Sequence, residues 1–375
     1  MDTHRDGPSA LTGPIPSLDG LRAIAVLLVF LAHSGLEHLI PGGFGVTVFF
    51  VMSGFLITTL MRVEFQATRR IDLRGFYLRR FLRLMPPLLV VTLLAAVLAS
   101  SGLIDGYFSW AGLLAAWFYV GNYFLIAQDF NGMPGGLGVV WSLSIEEHYY
   151  LLFPPLALLL LRRGRVGVSA LVLSGLCVVV LAWRAWLATH GASVDYLTMA
   201  TDTRVDAILV GSLMALVRNP WLDRLPVVPG LPDWGLMLLC GAALLFSVGY
   251  RDEVFRVTWR FSLQSLAIAG LIHLAVARAS SPAFAWLSSA PLVYIGSISY
   301  TVYLVHHMIL LGLVKHWPML GWLGTTSAAV VLTLAVAEPM RRWVELPCAR
   351  LRKRLHRSPS GSTSPPKGLM VAGLP

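Results

Sequence analysis

The strongest constraint in this sequence is a succession of apolar runs, most of them close to 20 residues long, that fills most of its 375 positions. A run of that length with few charges is what an α-helix needs to cross a bilayer. Charged residues make up 13% of the chain, against about 25% in soluble domains, and the mean hydropathy is +0.71. We therefore predict an all-α, polytopic transmembrane helical bundle, which excludes a soluble enzyme and a mostly disordered chain. The eleven runs cover residues 18–37, 44–61, 84–100, 109–128, 141–161, 167–187, 204–217, 234–250, 261–279, 291–313 and 319–337.

Basic residues lie between the apolar runs. The net charge of +10 would by itself suggest nucleic-acid binding, but many of the arginines form short segments at Arg62–Arg83, Arg162–Arg165, Arg341–Arg342 and Arg350–Arg357. Short basic loops beside membrane helices face the cytoplasm. We therefore expect membrane lipid around the chain and no nucleic-acid partner.

Eleven crossings conflict with this charge pattern. A cytoplasmic Arg62–Arg83 segment places the N-terminus inside, and an odd number of crossings would then export the basic C-terminal region. Counting residues 109–161 as one net crossing, interrupted near the Gly- and Pro-rich residues 131–138, removes the conflict. The prediction is about ten spans in the inner (plasma) membrane, with both termini cytoplasmic. Whether 109–161 includes a re-entrant segment or a long loop stays open.

The domain organisation follows from the same pattern. Residues 1–17 contain Pro, Gly and charge but no apolar core, which predicts a short cytoplasmic N-terminus without a cleavable signal peptide. Residues 18–347 form the predicted membrane domain. Residues 348–375 are basic at first and then rich in Ser, Pro and Gly, which predicts a disordered cytoplasmic tail.

Two ionisable residues in the first apolar run lie eleven positions apart. Eleven residues are nearly three helical turns, so Arg22 and His33 share one face, separated by a rise of about 16 Å. With the N-terminus inside, Arg22 lies near the cytoplasmic rim and His33 much deeper. Ionisable groups within membrane helices are costly and usually functional. Taken singly, each residue also has a structural interpretation: Arg22 as an arginine that snorkels to the membrane surface, and His33 as a hydrogen-bonded histidine of the core.

Two further segments place charges beside apolar runs. Arg80 and Arg83 are three residues apart, so on a helix both can face one anionic ligand, and guanidinium groups suit phosphate oxygens. The alternative is that these arginines serve only to fix the orientation of the helix in the membrane. Glu146 opens another apolar run and is expected to be more buried than Glu147 and His148, which lie at the membrane interface.

The evidence that the remaining ionisable residues have a functional role is weaker. Arg204 and Asp206 open the seventh run, but they are two positions apart and do not pair along one helix face, so each needs another partner or water. His306 lies in an apolar helix, where a packed and hydrogen-bonded histidine is the ordinary alternative.

Six short motifs follow one another in a fixed order over most of residues 17–347. The motifs are Leu18-Asp-Gly-Leu-Arg22 with His33, Gly42-Gly-Phe-Gly-Val46 followed by Phe49-Phe-Val-Met-Ser53-Gly54, Arg80-x-x-Arg83-x-x-Pro86, Trp141-Ser-Leu-x-x-Glu146, Ile298-Ser-Tyr300 with Tyr303-Leu-Val-His306, and Val344-Glu345-Leu-Pro347. Together they resemble the integral-membrane acyltransferase-3 family, whose signature is Arg or Lys followed eleven positions later by His. Thr47 departs from that pattern, because the family often has an acidic residue there, and we assign it no role.

The resemblance implies a bundle of roughly ten helices and an O-acyltransferase activity. Such an enzyme takes an acyl group, with acetyl the expected one, from cytoplasmic acyl-CoA. It places that group on a hydroxyl of a saccharide, a glycolipid or lipid-linked saccharide, or a secondary metabolite. Acyl-CoA is then a co-substrate, and we expect no tightly bound cofactor and no metal.

Acyl transfer to an alcohol needs a base, a positioned thioester and stabilisation of the developing oxyanion. We predict that His33 is the base, because a histidine buried in apolar surroundings stays neutral and accepts a proton. Arg22, on the same face, is predicted to hold the phosphates of coenzyme A, and Arg80 and Arg83 add contacts to them. The extended pantetheine arm then carries the thioester to His33.

The other candidates receive supporting roles. Glu146 is predicted to orient the imidazole or stabilise the imidazolium, and Ser53 to donate a hydrogen bond beside the donor, next to a glycine that permits close approach. Arg204, Asp206 and His306 are predicted to contact the acceptor substrate.

Two other classes of membrane protein fit part of the pattern. A secondary transporter would also place Arg, His and Glu inside a bundle. A glycosyltransferase that uses a lipid-linked sugar is the third hypothesis. Such an enzyme usually has an acidic pair that binds a metal, but no carboxylate cluster in the sequence suits a divalent metal ion.

Overall fold

The structure, a computed structural model, describes residues 15–40, 42–223, 225–226 and 228–356. These residues are predominantly α-helical, and none of them forms a β-strand. The all-α prediction is therefore confirmed. Most of the predicted N-terminal segment 1–17, and residues 357–375 of the predicted tail 348–375, lie outside the described residues.

Seventeen α-helices make up the described part of the chain. In chain order they are α1 (Pro16–Leu31), α2 (Gly42–Thr68), α3 (Leu73–Ser100), α4 (Trp110–Trp117), α5 (Gly121–Ala127), α6 (Val140–Arg163), α7 (Val166–Thr189), α8 (Val194–Met199), α9 (Thr201–Arg204), α10 (Asp206–Val217), α11 (Asp233–Gly249), α12 (Glu253–Val257), α13 (Trp259–Ala277), α14 (Ala290–Ser297), α15 (Ser299–His316), α16 (Gly321–Met340) and α17 (Leu346–His356). Two π-helical turns, Ala32–Leu36 and Arg341–Glu345, extend α1 and join α16 to α17.

Six helical segments of the described chain are long and apolar enough to span a membrane, and the bent pair α14–α15, with an angle of 73°, is a seventh candidate. They include α1, α2, α3, α7 and α13, together with the segment that contains α16. Helix α6 carries several charges, while α10 and α11 have only 12 and 17 residues. The predicted count of about ten spans therefore remains a prediction.

The run 109–128 does not form the single helix that its apolar composition indicated. It divides into α4 and α5, which have 8 and 7 residues, and the break falls at Tyr119, whose φ is +57°. Neither helix approaches the roughly 20 residues needed to cross a bilayer. Only α6, with 24 residues, is long enough within 109–161, but its charges keep it out of the candidate spans, so one net crossing there stays a prediction.

The third run begins earlier than the apolar pattern indicated. Helix α3 begins at Leu73 instead of residue 84, and the Asp72 carboxylate caps it by accepting a hydrogen bond from Gly75 N at 2.9 Å. Apolar composition marks only the part of a helix that lies in hydrocarbon, so a polar extension is invisible to it. As a result, Arg80 and Arg83 lie within a helix and not on a loop before one.

Close glycine contacts bring α2 to the centre of the bundle. A Cβ on Gly54 would lie 1.9 Å from the Ile208 carbonyl oxygen of α10, and a Cβ on Gly211 would lie 2.0 Å from that of Val51. Small residues allow membrane helices to approach this closely, where van der Waals packing drives association. The contact fixes the rotation of α2 and thereby the direction in which the neighbouring Ser53 points.

Candidate active site

A cavity near the start of α1, here called the proximal cavity, is lined by five of the residues singled out in the sequence. Its empty space, including the part open to solvent, is about 750 Å³. The five residues come from helices α1, α2, α3 and α6, which places residues far apart in sequence around one space. They are Arg22, Ser53, Arg80, Arg83 and Glu146.

The proximal cavity carries excess positive charge. Arg22 donates to the buried Asp19 carboxylate at 2.6 Å, so one of the three guanidinium groups has a counter-ion. Within the part of the chain that the structure describes, Arg80 and Arg83 form no ion pair. The guanidinium carbon of Arg80 lies 4.9 Å from the centre of the Tyr150 ring. Partly desolvated guanidinium groups arranged in this way suit a polyanionic ligand such as a nucleotide phosphate.

Glu146 lies in this cavity and makes no contact with His33. Its carboxylate accepts a hydrogen bond from Ser53 Oγ at 3.1 Å and another from Tyr150 Oη at 3.1 Å. The structure therefore places Glu146 where it can balance the arginines and contact a ligand. The predicted role of orienting the imidazole lacks the contact it would require.

Three histidines, here called the histidine cluster, meet at the far end of α1. His33 Nδ1 lies 2.9 Å from His306 Nε2, and the His33 ring stacks on His307 with ring centres 4.3 Å apart. His306 is fully buried. This contact joins α1 to α15 across 273 positions of sequence.

The hydrogen bonds around His306 determine the tautomers of the pair. His306 Nδ1 lies 2.7 Å from the Tyr303 carbonyl oxygen and 3.1 Å from that of Val302. Because a carbonyl only accepts, Nδ1 of His306 carries the proton and its Nε2 is an acceptor. His33 must then donate from Nδ1, which leaves its Nε2 with a free lone pair. A neutral His33 in this arrangement is oriented as a general base.

His33 lies at the end of its helix and not deep within it. Helix α1 gives way to the π-helical turn Ala32–Leu36, in which Gly35 has φ +104°, and the His33 residue is exposed. The carbonyl oxygen of Ser34 accepts a hydrogen bond from Trp322 Nε1 at 2.6 Å. The turn therefore places His33 at the surface of the described part of the chain.

Helix α15 connects the proximal cavity to the histidine cluster. Tyr303 lines the cavity, and its hydroxyl donates to the Val139 carbonyl oxygen at 3.0 Å. One turn further along, the His306 ring centre lies 5.8 Å from that of Tyr303. Arg22 and His33 both point toward α15, since Arg22 shares the cavity with Tyr303 and His33 contacts His306. This agrees with the shared face expected from their spacing.

Arg204 and Asp206 do not line the proximal cavity and are almost fully buried. Asp206 accepts two hydrogen bonds from Arg184, each at 3.1 Å. The guanidinium of Arg204 donates to Thr47 Oγ1 at 3.1 Å and lies 3.7 Å from the centre of the Phe261 ring. The structure thus gives each a separate partner, and their predicted contact with the acceptor stays a prediction.

Sequence reasoning missed several of these residues. Arg184 is a charged residue within an apolar run, which could have marked it as a candidate. It was overlooked because the run as a whole is apolar. Tyr303 was considered only as part of a motif, and Tyr150 was not singled out. Arg352 of α17 lies close enough to Arg80 and Arg83 for electrostatic interaction, but its distance in sequence gave no sign of this.

No group of three or more His, Cys, Asp and Glu side chains within the described ranges is arranged to hold a metal ion. The polar centres of this part of the chain include the proximal cavity with its arginines, the histidine cluster, and the buried Arg184–Asp206 pair.

Comparison with known proteins identifies a family. The family described as "Acyltransferase domain" matches residues 15–338. O-acetyltransferase OatA of Staphylococcus aureus (strain NCTC 8325 / PS 47) is 31% identical over 361 residues, which cover 89% of this chain and 57% of that protein. Peptidoglycan O-acetyltransferase OatA of Listeria monocytogenes is 31% identical over 309 residues, which cover 79% of this chain and 49% of that protein.

The chain therefore spans about half the length of these curated relatives, and no solved structure matches it. The match to the family covers most of the chain, and the described helices include several that are long and apolar enough to cross a membrane. The chain is a multi-pass membrane protein that belongs to the acyltransferase-3 family.

Proposed function

We propose that this protein is a membrane O-acetyltransferase that moves an acetyl group from cytoplasmic acetyl-CoA to a hydroxyl of a cell-envelope saccharide. The relatives that carry the name O-acetyltransferase support the reaction class, and family membership favours it over a secondary transporter. The observation that carries the proposal is the His33–His306 pair, which leaves His33 Nε2 free at one end of a helix whose other end carries the Arg22 cavity.

The proximal cavity is suited to the phosphates of the donor. Arg80 and Arg83 supply positive charge without ion pairs among the described residues, and Arg22 supplies a third guanidinium. Coenzyme A carries several phosphate charges, and bidentate guanidinium contacts favour such groups. In this proposal the proximal cavity faces the cytoplasm of the inner membrane, as do both termini. Acetyl-CoA is a co-substrate, with no tightly bound cofactor.

The donor then extends along α1 toward His33. The two ends of the predicted signature, Arg22 and His33, are separated by a helical rise of about 16 Å. The pantetheine arm of coenzyme A is a flexible chain that suits such a span. It brings the thioester carbonyl to the histidine cluster while the nucleotide stays with the arginines.

The chemistry is carried by His33. Its Nε2 accepts the proton of the acceptor hydroxyl as that oxygen attacks the thioester carbonyl carbon, and the tetrahedral oxyanion collapses with loss of the coenzyme A thiolate. The imidazolium then returns the proton to the thiolate, which leaves an ester and free coenzyme A. His306 is a positioning residue, because it accepts from His33 Nδ1 and keeps the lone pair on Nε2 directed at the substrate.

A transfer assay tests the proposal. Membranes containing the protein are supplied with radiolabelled acetyl-CoA and a saccharide acceptor, and ester product is identified by mass spectrometry. His33→Ala should lower turnover by about 10²–10⁴-fold while the protein remains in the membrane at normal level. His316→Gln, on the exposed end of α15, is the matched control. Near-normal turnover by the His33 variant, or movement of label without an ester, would overturn the proposal.

A further inference from the structure

A second cavity, here called the distal cavity, lies at the far end of α1 from the proximal cavity. Three arginines from consecutive parts of the chain, Arg251, Arg256 and Arg260, line it together with residues that follow the π-helical turn of α1. Its empty space, including the part open to solvent, is about 640 Å³. We propose that these arginines bind an oxyanion, a carboxylate or a phosphate, of the saccharide that accepts the acetyl group. The proposal rests on the proposed function and adds the acceptor's chemical class.

The distal cavity has a net positive charge. Among the described residues that line it, Glu37 is the one carboxylate, against three guanidinium groups. None of the three arginines forms an ion pair in the described part of the chain. The nearby Asp252 carboxylate caps α12 by accepting from Phe255 N at 2.7 Å.

The arginines are held in place without being neutralised. Arg260 is half-buried, and its Nε is fully buried with no hydrogen-bond partner. Arg251 Nη2 donates to the His38 carbonyl oxygen at 3.4 Å, which leaves its other donors free. Gathering like charges costs free energy, and a buried donor without a partner adds to the cost. An anion in the distal cavity would offset both.

The distal cavity is continuous with the turn that carries His33. A Cβ on Gly42, which lines the cavity, would lie 3.7 Å from the Cβ of Ala32, the residue before His33. Glu37, on the cavity wall, is four residues from His33, so their Cα atoms are within about 15 Å of each other. A saccharide anchored by an anionic group in the cavity can therefore present a hydroxyl on a neighbouring sugar to His33.

Two sources of an oxyanion are possible at this surface: the acceptor saccharide and a lipid headgroup. The proximity to His33 favours the acceptor, because a binding site for the acceptor must lie within reach of the base. The experiment below uses acceptors with and without a carboxylate, in bilayers with and without an anionic lipid.

The assay compares two β-1,4-linked glucosamine oligosaccharides of equal length. One carries lactyl carboxylates, as in muramic-acid glycans, and the other is a chitooligosaccharide without them. The protein is reconstituted in nanodiscs of phosphatidylcholine alone or with phosphatidylglycerol. The variants are Arg256→Gln and Arg251→Gln, alone and combined, since both residues are exposed and tolerate substitution. Lys315→Gln, which removes a cation in the last turn of α15 that pairs with Asp105, is the matched control.

Wild-type protein should prefer the carboxylated acceptor, and the double variant should raise its acceptor KM about tenfold, the loss expected for a charge-assisted contact. The KM for acetyl-CoA and the rate with chitooligosaccharide should stay near the wild-type values. Raising the ionic strength should shrink the preference. The control should behave as wild type.

Equal use of the two acceptors by wild-type protein, or an unchanged acceptor KM in the double variant, would overturn the assignment while ester formation continued. An effect confined to phosphatidylglycerol bilayers would overturn it in favour of a lipid headgroup. Absence of transfer to either saccharide, with His33→Ala indistinguishable from wild type, would instead refute the proposed function, and the assignment would fall with it.

Discussion

The hydrogen bond between His33 and His306 gives the sharpest prediction about the mechanism. Replacing His306 with leucine removes the acceptor for His33 Nδ1 but keeps an apolar side chain at a fully buried position. His33 can then rotate or change tautomer, so its lone pair is no longer fixed toward the substrate. Leaving a donor unsatisfied costs about 1–3 kcal/mol. Each 1.36 kcal/mol added to the barrier is about tenfold in rate, so kcat should fall roughly 10- to 100-fold.

Two further substitutions separate the hydrogen bond from packing. The side-chain amide of glutamine reaches about as far from the backbone as the Nε2 atom of histidine, whereas that of asparagine reaches about as far as Nδ1. His306→Gln should therefore restore an acceptor for His33 and recover part of kcat, but His306→Asn should not. The KM for acetyl-CoA should change little in all three variants, because the proximal cavity is untouched.

The assay is the esterification of a saccharide by labelled acetyl-CoA, with the amount of folded protein checked by thermal unfolding in detergent. His316→Gln, at the exposed end of the same helix, serves as the control. A leucine variant with kcat within twofold of wild type would refute the positioning role. Equal activity of the glutamine and asparagine variants would refute the geometric reasoning.

Three other predictions concern the donor site and the packing of the helices. Arg22→Ala should raise the KM for acetyl-CoA about tenfold and leave acceptor KM unchanged, with Arg22→Lys retaining part of donor binding; an unchanged dependence of rate on donor concentration would contradict the phosphate role. Asp206→Asn should destabilise the protein by about 3–5 kcal/mol, because it leaves the buried Arg184 without a counter-ion. Thermal unfolding in detergent measures this loss, and an unchanged melting temperature would show that the ion pair contributes little stability. Gly54→Ala should cost about 3 kcal/mol, since its Cβ would meet a backbone oxygen at 1.9 Å, whereas Gly241→Ala, with open space around it, should be neutral by the same measurement.

The sequence predicted the composition of the proximal cavity better than its internal contacts. Charged residues in or directly beside apolar runs are rare enough that Arg22, Arg80, Arg83 and Glu146 could be singled out, and the structure places all four around one space. Their grouping follows a simple rule, because buried charges in a bundle face one another or a water-filled space. The family resemblance added Ser53.

The contacts between side chains depended on helix rotation, which sequence does not reveal. Glu146 was expected beside His33, but its helix turns the carboxylate toward Ser53 and Tyr150. His306 was expected to contact substrate, and its Nε2 instead faces His33. Both outcomes depend on how α6 and α15 pack against α1 and α2.

The boundaries of helices were also only partly predictable. Apolar composition locates the part of α3 within hydrocarbon but not its start at Leu73, which an aspartate cap determines. The run 109–128 divides into two short helices at Tyr119, where the backbone takes a positive φ. Because this residue is not a glycine, the sequence gives no sign of the break. The Arg184–Asp206 pair was missed because the arginine lies inside an apolar run that still satisfied the criterion for a span.

In the proposed mechanism, one donor molecule connects the proximal cavity to His33. The most direct test is a structure of the full chain in a nanodisc with a thioether analogue of acetyl-CoA that cannot transfer its acyl group. Phosphate oxygens should lie within hydrogen-bond distance of Arg22 and Arg80, with the acyl carbonyl carbon within about 4 Å of the space in front of His33 Nε2. Phosphates bound at the distal cavity, or an acyl group that ends far from His33, would refute the proposed path of the donor.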